Sequence, residues 1–289
     1  MAGRKKPLPG YHQINKDKIM SNPTSFIQSL ALPVMPEVAH ALIRTLNSDD
    51  ADVATVTAII AKDPGLTATL LRMANSAMFG LSRSVYTLDS AISVIGMAHI
   101  RARALFICMA NGFVFPLGME RLDFWRYSMV CAGYSKWLAS RSGVDEQEAW
   151  LAGMMLRLGQ VMIAQRMPDT LEQIEAQPCA PGERWDRERL LTGFDEGQIA
   201  AEIARRWDFP ETVANALAHA TQPALSKEPC MSAVVHLAAL ITDMAAENPK
   251  PLLQNLPQSM LKRLALEAEK LQIQMPDAES FSDISMLLG

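Results

Sequence analysis

VATVTAIIAKDPGLTATLLRMANS, residues Val53 to Ser76, decides the fold. Its apolar residues return every three or four places: Val53, Val56 and Ile60, then Leu66, Leu70 and Met73. That is the period of an amphipathic helix, not the alternation of a half-buried strand. The run is cut at Asp63-Pro64-Gly65. Proline suits the first turn of a helix, and an aspartate before it can accept the N–H groups left free there. Two helices joined by a tight turn are predicted. Asp63 caps the second, and Asn75 or Ser76 ends it by hydrogen bonding. Ligand binding is the alternative role for these polar residues.

The same period continues outward. Val38, Ala41, Leu42 and Leu46 share a face behind Pro36. Thr87 can cap a helix with Leu88, Ala91, Ile92 and Ile95 inward, and Gly96 stops it. Longer helices are expected near 99–111, 122–142, 146–165, 168–177, 183–191, 195–207, 211–221, 229–246, 257–271 and 278–287. There is no GxGxxG, no P-loop, no convincing strand and no internal repeat. The fold class predicted is all-α, a multi-helix bundle. Asn248-Pro249-Lys250-Pro251 reads as a linker to an amphipathic pair built on Leu261, Leu264, Leu266 and Leu271.

Composition narrows the function classes. Of 289 residues, 49% are hydrophobic and 20% charged, which suits a buried core and excludes wholesale disorder. The net charge of -4 argues against a nucleic-acid-coating protein. Residues 1–20 are the exception, with Arg4, Lys5, Lys6, Lys16 and Lys18 against Asp17. They read as a solvated basic tail, with a nucleic-acid arm as the sharper alternative. Pro7, Pro9 and Gly10 stand where a secretory apolar stretch would be, and the longest apolar stretch without charge, Ala104 to Met119, is short for a membrane span and broken by Asn111, Gly112, Pro116 and Gly118. A soluble, cytoplasmic protein is expected. Cys108, Cys131, Cys179 and Cys230 are widely spaced, against both a disulfide framework and a structural zinc. Met73, Met78, Met154, Met155 and Met162 fall at apolar helical positions and read as core filling.

The five histidines, His12, His40, His99, His219 and His236, form no HExxH, His-Asp doublet or His-x-His. A transition-metal site would need assembly from isolated donors. No GxSxG elbow suggests a serine hydrolase.

Four blocks resemble one known family in order and spacing: Leu32-Pro33-Val34-Met35-Pro36, Ile60 to Leu66, Leu71 to Gly80, and Ala91 to Gly96. The chain resembles the HDOD family over about residues 25 to 245. The resemblance implies a bacterial helical protein related to HD-domain phosphohydrolases, lacking their activity and serving in signalling. It also implies where the metal ligands of those enzymes would fall. Tyr127 stands for the early His, Leu156 and Arg157 for the His-Asp doublet, and Ala239 for the late Asp. The extra histidines of two-metal relatives map to Glu196 and His219. Leucine is no donor, and arginine is a fixed cation that repels a metal, so hydrolysis is not expected. Arg157 is expected to fill part of the old cation volume and pair with Glu196, near Tyr127 or His219. The alternative has Arg157 pointing into water.

The organisation implied is a basic tail over 1–24, an HDOD domain over 25–245 and a C-terminal helical extension over 246–289. The domain divides into an N-terminal helical subdomain, 25–115, and a degenerate HD-like subdomain, 116–245. The expected function is non-catalytic signalling through protein–protein interaction, with no cofactor and no metal. Asp63 and Asn75 are expected to be structural polar residues. The rivals are a divergent phosphohydrolase and a nucleotide sensor, for instance of a cyclic dinucleotide, using the HD-like cavity.

Overall fold

The computed structural model describes residues 23–28, 32–46, 51–76, 80–176, 178, 180–223, 229–248 and 251–287. The basic tail up to residue 22, Met78, Cys179 and the linker's Pro249-Lys250 lie outside them. Among the described residues the fold is all-helical, with no strand.

The first six helices are α1 (Pro23–Gln28), α2 (Glu37–Leu46), α3 (Val53–Ile60), α4 (Pro64–Ala74), α5 (Leu88–Ile95) and α6 (Met97–Gly112). Several starts are fixed by the side chains the period leaves at their boundaries. Asp52 caps α3, Asp63 caps α4 and Thr87 caps α5, each accepting the N–H three residues on. The buried faces of α2 to α5 close on α6.

The second group is α7 (Arg121–Ser142), α8 (Glu146–Met155), α9 (Leu158–Arg166), α10 (Pro168–Glu175), α11 (Glu183–Thr192), α12 (Glu196–Arg206), α13 (Glu211–His219) and α14 (Pro229–Glu247). Here α7 packs along α8 and α14, and α12 lies between α9 and α13. Phe106, Phe113 and Phe124 meet Trp125 edge-on, joining α6 to α7. α14 is long and apolar enough to cross a membrane, but most of its apolar window is buried in this core.

Three expected helices are corrected. The helix expected over 146–165 is two, α8 and α9, parted by a turn at Leu156-Arg157 where Gln160 N–H donates to Arg157 O at 2.9 Å. The one expected over 257–271 is α15 (Gln258–Arg263) and α16 (Ala268–Gln274). Between them Ala265 sits in the left-handed region at φ 54°, which a continuing helix forbids. The one expected over 278–287 is two short 3₁₀ turns, Ala278–Phe281 and Ser285–Leu287, wrapped against α7, α4 and α6.

Candidate functional site

Three elements converge at the middle of the second group. α7 brings Tyr127, the α8–α9 turn brings Arg157, and α14 brings Ala239 and, one helical turn on, Asp243. Arg157 Nη2 donates to Asp243 Oδ1 at 3.1 Å, and the Tyr127 hydroxyl donates to the same oxygen at 2.7 Å. The other carboxylate oxygen accepts Gly182 N–H at 3.3 Å. The guanidinium lies over the Tyr127 ring, with Cζ 3.2 Å from its centroid. The Arg157 and Asp243 side chains are each only 21% exposed, so this pair is largely desolvated. Burial opposes the Arg157 charge, yet the carboxylates of Asp243 and Glu196 help hold its pKa above the ordinary guanidinium value. Burial pushes the Tyr127 hydroxyl up. The site therefore carries a fixed cation and a neutral phenol.

A second polar circuit lies behind it. Glu196 starts α12, and its Oε1 accepts the Trp185 indole N–H at 2.8 Å. Its own backbone N–H donates to Glu188 Oε2 at 2.7 Å, and Glu188 Oε1 accepts Arg184 Nε–H at 3.0 Å. Arg184 also pairs with Glu175. Burial first, then the neighbouring Glu196 charge, pushes Glu188 up to about 8 against the pull of Arg184. Burial also raises Glu196, opposed by Arg157 and then Arg184. Glu196 Oε2, Arg157 Nε and Arg184 Nη2 are buried without a hydrogen-bond partner.

The mapped positions separate in this geometry. Tyr127, Arg157 and Ala239 come together, with Glu196 within electrostatic reach of Arg157. Leu156 and Ala239 are buried and apolar. The direct Arg157–Glu196 pair is corrected: Arg157 binds Asp243, and Glu196 binds the Trp185 indole. The reason is helical: Asp243 falls on the same face as Ala239, four residues on, and supplies the carboxylate that Ala239 lacks. His219 joins neither circuit; its Nδ1–H donates to Asn215 O at 2.9 Å at the end of α13. In the first group, Asp63 Oδ1 accepts Leu66 N–H at 2.9 Å. Asn75 bridges ten residues, donating to Val85 O and accepting Val85 N–H, both at 2.8 Å.

Sequence reasoning missed Asp243, Trp185, Arg184, Glu188 and the burial of His236. The Arg184–Glu188 pair had a legible signal, its i,i+4 spacing. His236 Nδ1–H donates to Ala220 O at 2.7 Å, and its ring lies 5.0 Å from Trp185.

The Arg157 end opens onto a groove of about 720 Å³ between α7, α9, α10, α14 and the C-terminal turn. The residues present do not fit a hydrolytic metal. Such an ion needs several free anionic or imidazole donors and an open position for water. Leu156 offers none, Arg157 brings a positive charge, and Asp243 already accepts from three donors.

A family model described as HDOD domain matches residues 32–223. An uncharacterized protein of Treponema pallidum (strain Nichols) is 23% identical over 266 residues, covering 88% of this chain. The chain spans about half the length of that curated relative, 51%. Among solved structures, a candidate phosphohydrolase from Shewanella amazonensis SB2B superposes with a TM-score of 0.74 at 22% identity, covering 93% of this chain and 100% of that one. A candidate signal transduction protein from Marinobacter aquaeolei VT8 gives 0.74 at 21%, covering 92% and 61%. At these identities the structural likeness carries the fold alone.

Proposed function

This chain belongs to the HDOD family, and we propose that it works there as a non-catalytic regulatory protein of bacterial signal transduction, acting in the cytoplasm by binding other proteins. The observation that carries this reading is the Arg157–Asp243–Tyr127 cluster. At the turn onto which the family resemblance maps the metal-binding doublet of hydrolytic relatives, this chain presents a leucine and a fixed cation with its own counter-ion. A guanidinium held above its ordinary pKa neither ligates a metal nor activates a water at neutral pH.

Two measurements test the reading. Calorimetric titration with Mn²⁺ and Mg²⁺ should show no stoichiometric binding. Incubation with bis-p-nitrophenyl phosphate and with cyclic dinucleotides should show no turnover. Stoichiometric metal together with turnover that Glu196→Gln abolishes would overturn it.

The nucleotide-sensor reading has the size of the groove in its favour, since about 720 Å³ admits a ligand of that class. The lining weighs against it. Four carboxylates and two guanidiniums face the groove, a balance that repels polyphosphates.

A further inference from the structure

One wall of the groove lies outside the family match. The match ends at residue 223, whereas α14 and the turn carrying Glu279 and Ser282 close the groove from beyond it. Phe281 anchors that turn. Its ring lies where a Cβ on Gly133 of α7 would sit, so only glycine leaves room for it. The ring also stands 5.2 Å from Tyr134, edge-on at 78°, and the Tyr134 hydroxyl donates to Pro276 O at 3.1 Å. The wall is packed in place rather than laid across the opening.

The charges on the groove are unequally engaged. Arg126 pairs with Asp123 at 2.7 Å, Arg157 with Asp243, and Glu175 with Arg184. Glu120, just ahead of α7, and Glu279, in the C-terminal turn, both line the groove and are exposed, and among the described residues the side chain of neither makes a hydrogen bond or an ion pair. Phe124, Val130, Ala245 and Ala246 give the groove an apolar lining. Outside that lining, the loop leading into α7 exposes Leu117 fully and Val114 to 76%. An apolar groove bearing carboxylates that have no partner among the described residues is the complement of a cationic segment with interspersed apolar side chains.

Such a segment is present in this chain. Residues 1–22 carry Arg4, Lys5, Lys6, Lys16 and Lys18 against Asp17, interleaved with Tyr11, Ile14, Ile19 and Met20. They join the fold at α1, whose Phe26 stacks 4.8 Å from Phe194 just ahead of α12. α12 in turn packs on α9, which supplies Gln160 to the groove. A chain of that length spans about 25 Å as a coil and about 70 Å when extended. Tethering on that scale gives a millimolar effective concentration, at which weak ionic and apolar contacts suffice.

We propose that residues 1–22 dock in cis in this groove, setting lysines against Glu120 and Glu279 and apolar side chains against Phe124 and Val130. The chain then covers its own interaction surface until a partner or high ionic strength displaces the segment. This deepens the interaction-module reading by naming the surface and its regulation, while the docking itself is measured without any partner.

Zero-length carbodiimide cross-linking of the full chain tests the place. A mixture of unlabelled and nitrogen-15-labelled chains separates cis from trans. Cross-links from Lys5, Lys6, Lys16 or Lys18 to Glu120 or Glu279 within one chain are expected, with the 2.7 Å Lys270–Glu267 pair as internal standard. Limited trypsin digestion tests the docking. In Glu120→Gln/Glu279→Gln, or in about 0.5 M salt, cleavage within residues 1–22 should rise about tenfold while the helical body stays resistant. Cross-links to carboxylates remote from the groove, mixed-isotope cross-links pointing to a second copy, or unchanged cleavage in the variant would each overturn the proposal. Misfolding of the variant would show as cleavage throughout the body, and the wild-type salt response then decides the question.

Discussion

Arg157 holds a charge whose counter-ion would remain behind if the arginine were removed. In Arg157→Ala, Asp243 keeps the Tyr127 hydroxyl and the Gly182 N–H but loses the only cation paired with it among the described residues. Breaking a buried pair from one side is costly, and the two surviving donors offset part of the loss. The expected destabilisation is about 2–3 kcal/mol by urea denaturation. Asp243→Asn should lower the further cost of Arg157→Ala by about 1–2 kcal/mol, because the carboxylate left unpaired is then absent. A single-variant cost below about 0.5 kcal/mol would mean that the pair is effectively solvated. Asp63 is a smaller case of the same kind. Its Oδ1 accepts the Leu66 N–H at the start of α4, so Asp63→Ala should cost about 1 kcal/mol. Asp63→Asn should cost far less, since an amide oxygen caps as well. Equal losses in the two variants would show that the charge, not the cap, is what matters.

At the scale of elements, the contact between α9 and α12 sets the geometry of the site. The turn at Leu156-Arg157 re-aims α9 so that Gly159 lies against the backbone of Glu196. A Cβ at Gly159 would overlap the Glu196 backbone, which cannot rotate away as a side chain could. Gly159→Ala should therefore cost roughly 1–3 kcal/mol, towards the upper end, and shift the indole fluorescence of Trp185, whose N–H holds Glu196. Wild-type stability and fluorescence would show that the helices part freely. Helix existence was legible in most segments because one apolar face repeats, as along α3 and α4. The α8–α9 break was not, because Met154, Met155, Leu156 and Leu158 are all buried. A stretch buried on every side gives no period from which to read an interruption. Asp243 was missed for another reason. Motif spacing fixes one position, whereas helix geometry admits its neighbour four residues on. The turn at Ala265 was illegible because a left-handed residue other than glycine leaves no compositional mark.

For the whole molecule, the buried charges couple stability to pH. Glu188, pushed up to about 8, faces Arg184 on its own helix and Glu196 and Asp195 at the start of α12. In the unfolded chain it titrates near 4.5, so the folded state holds this proton more tightly. Its contribution is complete below the unfolded value and is lost as pH rises through about 8. Glu196 is shifted in the same direction. His236 and His99 act oppositely. Burial lowers both, so they destabilise the fold only as pH falls through the ordinary value of 6.5. Burial raises Cys108 to about 11 and Cys131 to about 12 from 9.0, so they act above the window. Between about pH 7 and 8 the glutamates dominate, and the urea midpoint should fall. Glu188→Gln has no proton to lose there and should flatten the fall, even if its midpoint is lower throughout. A wild-type midpoint that is level or rising from pH 7 to 8, with the same slope in Glu188→Gln, would show that Glu188 is already ionised in the folded protein, held so by Arg184.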